Sequence, residues 1–331
     1  MKTIKGEIVT SYLEKWNNLN NLTLAKKIYP ENREVFKDIE DVRKIILYYR
    51  GANGARDLKK LVDRRFIRNI DDPNRFDIPD SDEVAYVPFT LPKLNNNILI
   101  IADLHIPYHN IAAINAAFSY GQRKEVNTII IAGDFLDCYQ LSYFCKDPRK
   151  RRFSGELDIC REFFDALQDA FPMAVVYVME GNHEERLKTY LKIKAPELFD
   201  NPEFNLDVLL QFGERGIHWI CDKRFLKAGK LNIFHGHELG RGVGSTVNPA
   251  RTLFLRAKKS AIQFHNHQTS EHSEPTIDDE IIACWSGGCL SELRPLYAPI
   301  NKWNHGAAHV RVNPDGTFKV FNFRIHKGKV L

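Results

Sequence analysis

Hydrophobic and polar positions fall into two patterns, with the change near residue 94. In the first part, apolar residues recur at three- and four-residue spacing. This predicts short amphipathic helices over residues 8–16, 22–28 and 39–49, the last preceded by Asp38 as a ready N-cap. In the second part, short and nearly continuous apolar runs alternate with helical stretches. Residues 97–102, 126–132 and 174–179 read as buried strands, with helices expected over 111–123 and 156–170. Residues 231–234 and 261–264 read as further short strands. Past residue 280 the chain is strand-rich, its clearest hairpin running from 308–313 through Pro314-Asp315-Gly316 to 317–323. Buried strands separated by helices imply an α/β core.

Charge sharpens this division. Residues 1–68 hold 16 basic and 9 acidic side chains, whereas residues 69–94 hold two basic and six acidic ones among Pro73, Pro79, Pro88 and Pro92. Three domains are therefore expected: a basic helical domain over 1–68, an acidic, proline-containing linker over 69–94, and a catalytic domain over 95–331. Three short helices with a basic third helix match a helix-turn-helix module or, equally, a helical cap with a solvated charged face. The whole chain of 331 residues is 44% hydrophobic and 27% charged, the composition of a soluble globule and not of a disordered chain. No apolar run approaches the roughly 20 residues that span a bilayer, and the N-terminus has no signal-peptide core. The six cysteines form no CxxC pair, so a reduced, cytoplasmic protein without a disulfide framework is expected. Oligomeric state stays open.

The chemistry gathers at the strand ends. Five polar motifs follow the predicted strands in order: Asp103-Leu104-His105, Gly133-Asp134-Phe135-Leu136-Asp137, Gly181-Asn182-His183-Glu184, His235-Gly236-His237 and His265-Asn266-His267. Any one of these is ordinary, since an Asn-His pair is usually a capping turn. Five in order, each at a strand end, are not. Carboxylates, imidazoles and an amide oxygen, with no thiolate among them, suit Mn²⁺, Fe²⁺ or Zn²⁺. Two residues apart on an extended backbone, Asp103 and His105 lie on one side, as do His265 and His267. A carboxylate between two cations can hold them about 3.5–4 Å apart.

The series D-x-H, G-D-x-x-D, G-N-H-E, H-G-H and H-x-H resembles the calcineurin-like metallophosphoesterases, over roughly residues 96–325. The resemblance implies a four-layer α/β/β/α sandwich behind the small N-terminal helical domain. It also implies two divalent metal ions, Mn²⁺ foremost, with Fe, Zn or Ni as alternatives. One would be held by Asp103, His105 and His267, the second by Asn182, His235 and His265, with Asp134 bridging. In the fourth motif His235, not His237, matches the family ligand. His183 would face the substrate unligated, with Asp137 orienting it. The implied reaction is phosphoester hydrolysis by a hydroxide held between the metals, without a covalent phospho-enzyme. Two departures stand out: Phe264 precedes His265 where the family usually has Gly, and Cys138 follows Asp137 where the serine/threonine phosphatases carry Arg-Gly. The second departure argues against a eukaryotic-type protein phosphatase.

Substrate class rests on the cations. Lys146, Arg149, Lys150, Arg151 and Arg152 follow the second motif, and Arg251, Arg256, Lys258 and Lys259 lie on the stretch leading to His265. With the basic N-terminal segment they offer a phosphate-tracking surface, and His109 lies beside the first motif. Lys146, Arg149, Arg151, Arg152 and His109 are the expected substrate contacts. The leading expectation is a phosphodiesterase or nuclease acting on nucleic acid. The alternatives are a phosphomonoesterase acting on a phosphoprotein or nucleotide, and a nucleic-acid-binding scaffold with a vestigial site.

Overall fold

Side-chain oxygens start the N-terminal helices. Thr3, Asn20 and Asp38 accept from the backbone N–H groups of Gly6, Thr23 and Asp41, capping α1 (Ile4–Lys15), α2 (Asn21–Ile28) and α3 (Ile39–Tyr49). A short α4 (Ala55–Lys60) follows. The computed structural model describes residues 3–67, 78–79, 81–83, 86–147, 149, 152–240 and 247–331, divided into two units, Met1–Ala85 and Tyr86–Leu331. Part of the expected linker, residues 69–77, 80, 84 and 85, therefore lies outside the described residues.

The first unit has its own core, built from Val9 and Leu13 of α1, Leu24 and Ile28 of α2, and Val42 and Ile46 of α3, with Phe36, Leu61 and Phe66. Several of its cations are used internally. Arg50 is buried and donates to Asn21 Oδ1 at 2.6 Å and to the carbonyls of Asn17 and Leu19, each at 2.8 Å. Arg43 pairs with Glu40, and Arg65 pairs with Asp63 and Glu14. The links between helices run over residues 16–20 and 29–38, longer than the three to four residues or so of a helix-turn-helix turn.

The second unit begins with β1 (Phe89–Thr90), inside the stretch that composition had placed in the linker. The reason is apolar: Leu91 is buried and Phe89 packs against the same core, so these residues dock on a sheet despite the surrounding prolines. Then come β2 (Asn97–Ile101), α5 (Ile111–Arg123), β3 (Thr128–Ala132), α6 (Phe153–Ala170) and β4 (Val175–Met179). A helical stretch, α7 (Glu185–Lys194) and α8 (Leu206–Leu209), leads to β5 (His218–Ile220), β6 (Leu226–Ala228) and β7 (Leu231–Ile233). The chain continues through α9 (Pro249–Ala257), β8 (Ala261–Gln263), β9 (Ser270–Pro275) and β10 (Ile281–Ser286), and ends in β11 (His305–Val312), β12 (Phe318–His326) and β13 (Lys329–Val330).

Two sheets result, one ordered β13-β12-β11-β2-β3-β4-β5 and the other β1-β6-β7-β8-β10-β9. Strands β2, β3, β4 and β5 run parallel, as do β7, β8 and β10. Alternation along the strands sorts the side chains. Leu99, Ile101, Ile129, Ile131, Val176 and Val178 pack with apolar residues of α5 and α6. Their neighbours Ile98, Ile100, Ile130, Ala132, Tyr177 and Met179 pack against Leu226, Leu231, Ile233 and Ile262 of the other sheet. On the outer side of that sheet, Leu253 of α9 meets Ala261 and Cys284. The layers are α/β/β/α, as the resemblance implies. Among the described residues no helix is long and apolar enough to cross a membrane.

Candidate metal centre

The five motifs leave the C-terminal ends of β2, β3, β4, β7 and β8, so the topology brings them to one edge of the two-sheet core. Their backbone is strained there. Asp103, His105, Asp134, His265 and His267 have φ of 52°, 49°, 49°, 66° and 54°. Left-handed backbone costs a non-glycine residue about 1–2 kcal/mol. Bonds across the loops hold the strained residues: Asp103 N donates to Gly133 O at 3.1 Å, His105 N to Asp134 O at 3.0 Å, and Phe264 N to His235 O at 2.8 Å. Two glutamates, Glu184 buried and Glu238 partly so, complete the frame. Glu184 accepts from the N–H groups of Asp134, Leu136 and Gly181 at 3.0, 2.9 and 2.8 Å, tying two motif loops together. Glu238 accepts from His235 N at 3.0 Å and Gly236 N at 2.6 Å. Close approach also needs Gly133, where a Cβ would lie 2.5 Å from His235 Nδ1 on a backbone with φ of 86°.

The side chains converge on Asp134. Its Oδ2 lies 3.3 Å from His235 Nε2, 3.8 Å from His183 Nε2 and 3.9 Å from His105 Nε2. On one side, Asp103 Oδ1 and His105 Nε2 each lie 3.2 Å from His267 Nε2. On the other, His235 Nε2 is 3.2 Å from both Asn182 Oδ1 and His265 Nδ1. The ligand atoms of Asp103, His105 and His267 lie within 4.8 Å of one another, as do those of Asp134, His235 and His265. A third such group, His105, Asp137 and His183, overlaps the first. Asp137 Oδ1 sits 3.4 Å from His105 Nδ1 and 3.3 Å from His183 Nδ1, so one carboxylate faces both rings.

This donor set fits divalent cations. Two carboxylates, Asp103 and Asp134, are essentially fully buried, and among the described residues Asp103 Oδ1 has only the His267 ring nitrogen, 3.2 Å away, facing it. Buried charge demands a counter-charge. Burial is the largest influence on both acids and would raise their pKa, yet the facing imidazoles outweigh it and hold both below the ordinary value. Burial and the His183 charge push His105 down. Burial and the His235 charge push His265 down to about 4. Both rings therefore offer neutral lone pairs at neutral pH, the form that ligates a metal. For His235 burial is outweighed by Asp134 and the pKa rises to about 10. Its Nδ1 lies 2.8 Å from Ala132 O, which fixes Nδ1–H as donor and turns Nε2 toward Asp134.

The two histidines of the fourth motif face different ways. His235 Nε2 faces the cluster, whereas His237 Nε2 lies 3.1 Å from Glu185 Oε1. The expected substrate contacts lie less centrally. Arg149 is exposed and pairs bidentately with Asp147, Lys146 donates to Gln140 O, and exposed Arg152 stands at the N-cap of α6. Arg151 lies outside the described residues, as does Lys150. His109 lines a cavity of about 410 Å³ with Ile111, Phe118 and Phe163, among residues of α5 and α6 and none of the cluster. Sequence reasoning missed Arg186, whose guanidinium reaches both Asp137 and His183. It also gave Trp303 and Tyr297 no role. The Trp303 ring lies 4.3 Å from that of His267, and exposed Tyr297 lies 6.2 Å from Trp303. These three have no strand-end signature; only the fold brings them here.

Phe264, where the family usually has glycine, is fully buried, and the space for its ring is provided by Gly287. A Cβ on Gly287 would overlap Phe264 Cδ1 and Cε1. Gly287→Ala is expected to lower stability by about 1–3 kcal/mol through overpacking and to weaken metal binding at the adjoining His265–His267 turn. Adding Phe264→Leu should recover part of both losses, which thermal melts and metal titration would measure as a double-mutant cycle. Strictly additive losses would show that the two positions are uncoupled.

The model of the family described as calcineurin-like phosphoesterase matches residues 97–288, the segment that carries all five motifs. The chain belongs to this family. It is a metal-dependent phosphoesterase, and its donor clusters lie where the family's motifs fall. No curated protein matches it. Among solved structures it is similar to a Vps29 single mutant from Entamoeba histolytica, at 13% identity and a TM-score of 0.37, covering 71% of this chain and 96% of that one. It is also similar to a dimetal phosphatase from Danio rerio, at 12% identity and a TM-score of 0.36, covering 72% and 98%. A third is the nuclease MPE of Pseudomonas putida, at 14% identity and a TM-score of 0.28, covering 68% and 86%.

Proposed function

We propose that this phosphoesterase is a dinuclear phosphodiesterase acting on nucleic acid. Asp103, His105 and His267 would hold one cation and Asn182, His235 and His265 the other, with Asp134 shared between them. Manganese is the preferred metal, because the donors are oxygen and imidazole without thiolate. The cations, when bound, supply Lewis-acid charge to phosphoryl oxygens and make water more acidic. The chain's own part is orientation. Asp137 O lies 2.9 Å from His183 Nδ1 and accepts its hydrogen bond, which leaves His183 Nε2 as the nitrogen turned toward a substrate, where, once it has taken up a proton, it can hand that proton to a leaving oxygen.

The observation that carries the nucleic-acid reading is the aromatic rim beside the cluster. Trp303 packs edge-on to His267, and Tyr297, 78% exposed, stands beyond it. Every base has a π face, and stacking on such rings contributes about 1–3 kcal/mol per base. In the first unit, exposed Lys44, Arg56, Lys59, Lys60 and Arg64 add charge of the right sign for a phosphate backbone. The test is turnover with Mn²⁺ of bis-(p-nitrophenyl) phosphate, p-nitrophenyl phosphate, and single-stranded and duplex DNA. The diester is expected to exceed the monoester by about tenfold or more, with cleavage of DNA. Turnover of the monoester alone would support the phosphomonoesterase reading in its place.

A further inference from the structure

Arg186 stands in the first turn of α7, two residues after the Gly-Asn-His-Glu motif. Its NH1 donates to Asp137 O at 2.8 Å, and its NH2 lies 2.9 Å from His183 Nε2. A guanidinium can only donate, so Nε2 is the acceptor in this contact and the ring proton sits on Nδ1, facing Asp137. That same Nε2 is 3.8 Å from Asp134 Oδ2, the oxygen on which the cluster converges. A phosphoryl group that reaches His183 Nε2 therefore meets the terminal nitrogen of Arg186 as well. The guanidinium is half-buried, and two of its five N–H groups are used in these contacts. The others remain for a ligand. Its fork matches two oxygens of a tetrahedral anion, and partial burial strengthens such a charge-assisted bond.

The position bears on the family pattern. Cys138 stands where the serine/threonine phosphatases carry arginine after the second motif, and Cys138 is fully buried with its thiol pushed up by burial, so it contributes no charge. Arg186 brings a guanidinium to Asp137 from another element of the fold. We propose that Arg186 clamps the phosphoryl group of the substrate: on substrate entry its NH2 group exchanges His183 Nε2 for a non-bridging phosphoryl oxygen, which frees Nε2 to take up a proton from water and face the departing group. This rests on the phosphodiesterase reading for the substrate, but only on the geometry above for the anion.

The test uses the manganese-loaded full chain and its Arg186→Met and Arg186→Lys variants. Each is titrated calorimetrically with inorganic phosphate, assayed on bis-(p-nitrophenyl) phosphate, and checked for metal content and melting temperature. Arg186→Met is expected to weaken phosphate binding by about tenfold to a hundredfold and to raise KM, with metal content unchanged. Arg186→Lys keeps the charge without the fork and should recover only part of the affinity. If Arg186→Met does not fold, the lysine variant decides alone, since a loss of phosphate affinity supports the clamp. Unchanged phosphate affinity in the folded variants, with only kcat reduced, would overturn it, because a residue that merely positions His183 does not touch the anion. If the parent binds phosphate and Arg186→Met does not, yet neither cleaves diester, the phosphodiesterase reading fails and the clamp stands.

Discussion

Asp134→Asn is expected to leave the protein with at most one divalent ion per chain and to lower kcat/KM on the order of a thousandfold or more. The substitution preserves volume and one oxygen but removes the charge at the centre of the cluster. Asp134 Oδ2 lies within 3.9 Å of the Nε2 atoms of His105, His183 and His235. Its other oxygen accepts from His183 N at 3.0 Å. A neutral amide in this place cannot offset two cations held close together, and its NH₂ group would point at groups that need to accept a metal. The backbone N–H of residue 134 remains bonded to Glu184, so the turn should survive and the protein should stay folded. Metal analysis with steady-state kinetics checks this. A variant that retains two ions and full turnover would remove Asp134 from the centre.

His183→Ala is the second large effect, and its signature differs. Both ions should remain while kcat falls about 10²–10⁴-fold, the usual contribution of a positioned acid or base. The distinction matters because the geometry allows a competitor. His105, Asp137 and His183 also form a compact donor group, in which His183 would be a ligand. The ring is held by Asp137 through Nδ1 and touched by Arg186 at Nε2, an arrangement suited to a group that meets substrate. Loss of one ion together with activity would assign His183 to the metal after all. Retention of both ions with normal turnover would leave it without a role.

The catalytic fold was readable because its central strands are buried on both faces. Ile98 to Ile101 and Ile129 to Ala132 have no polar side, and such runs separated by amphipathic helices admit few architectures. The site was readable for a related reason: residues that follow these strands must lie together at one sheet edge, whatever the loops between them do. Strands β5 and β6 are three residues long, and β9 is a mostly exposed Ser-Glu-His-Ser-Glu-Pro, so neither periodicity nor hydrophobicity marks them. Arg186, Trp303 and Tyr297 belong to a helix and a loop whose approach to the cluster depends on tertiary packing. Charge was the weakest guide. Arg50 reads as part of a basic face and is buried among carbonyls, and Arg149 turns to Asp147 two residues away. A count of cations carries no record of which ones the fold itself uses.

Whether the acids and histidines at the five strand ends hold two cations side by side can be measured outright. The measurement is the metal content of the purified chain after incubation with Mn²⁺ and removal of excess, by elemental analysis against protein concentration. Two ions per chain are expected, both released by a chelator, with phosphoester turnover lost and regained in parallel. A chain that binds no ion, or turns over phosphoester equally well after the ions are stripped, would rule out a two-metal centre at these strand ends.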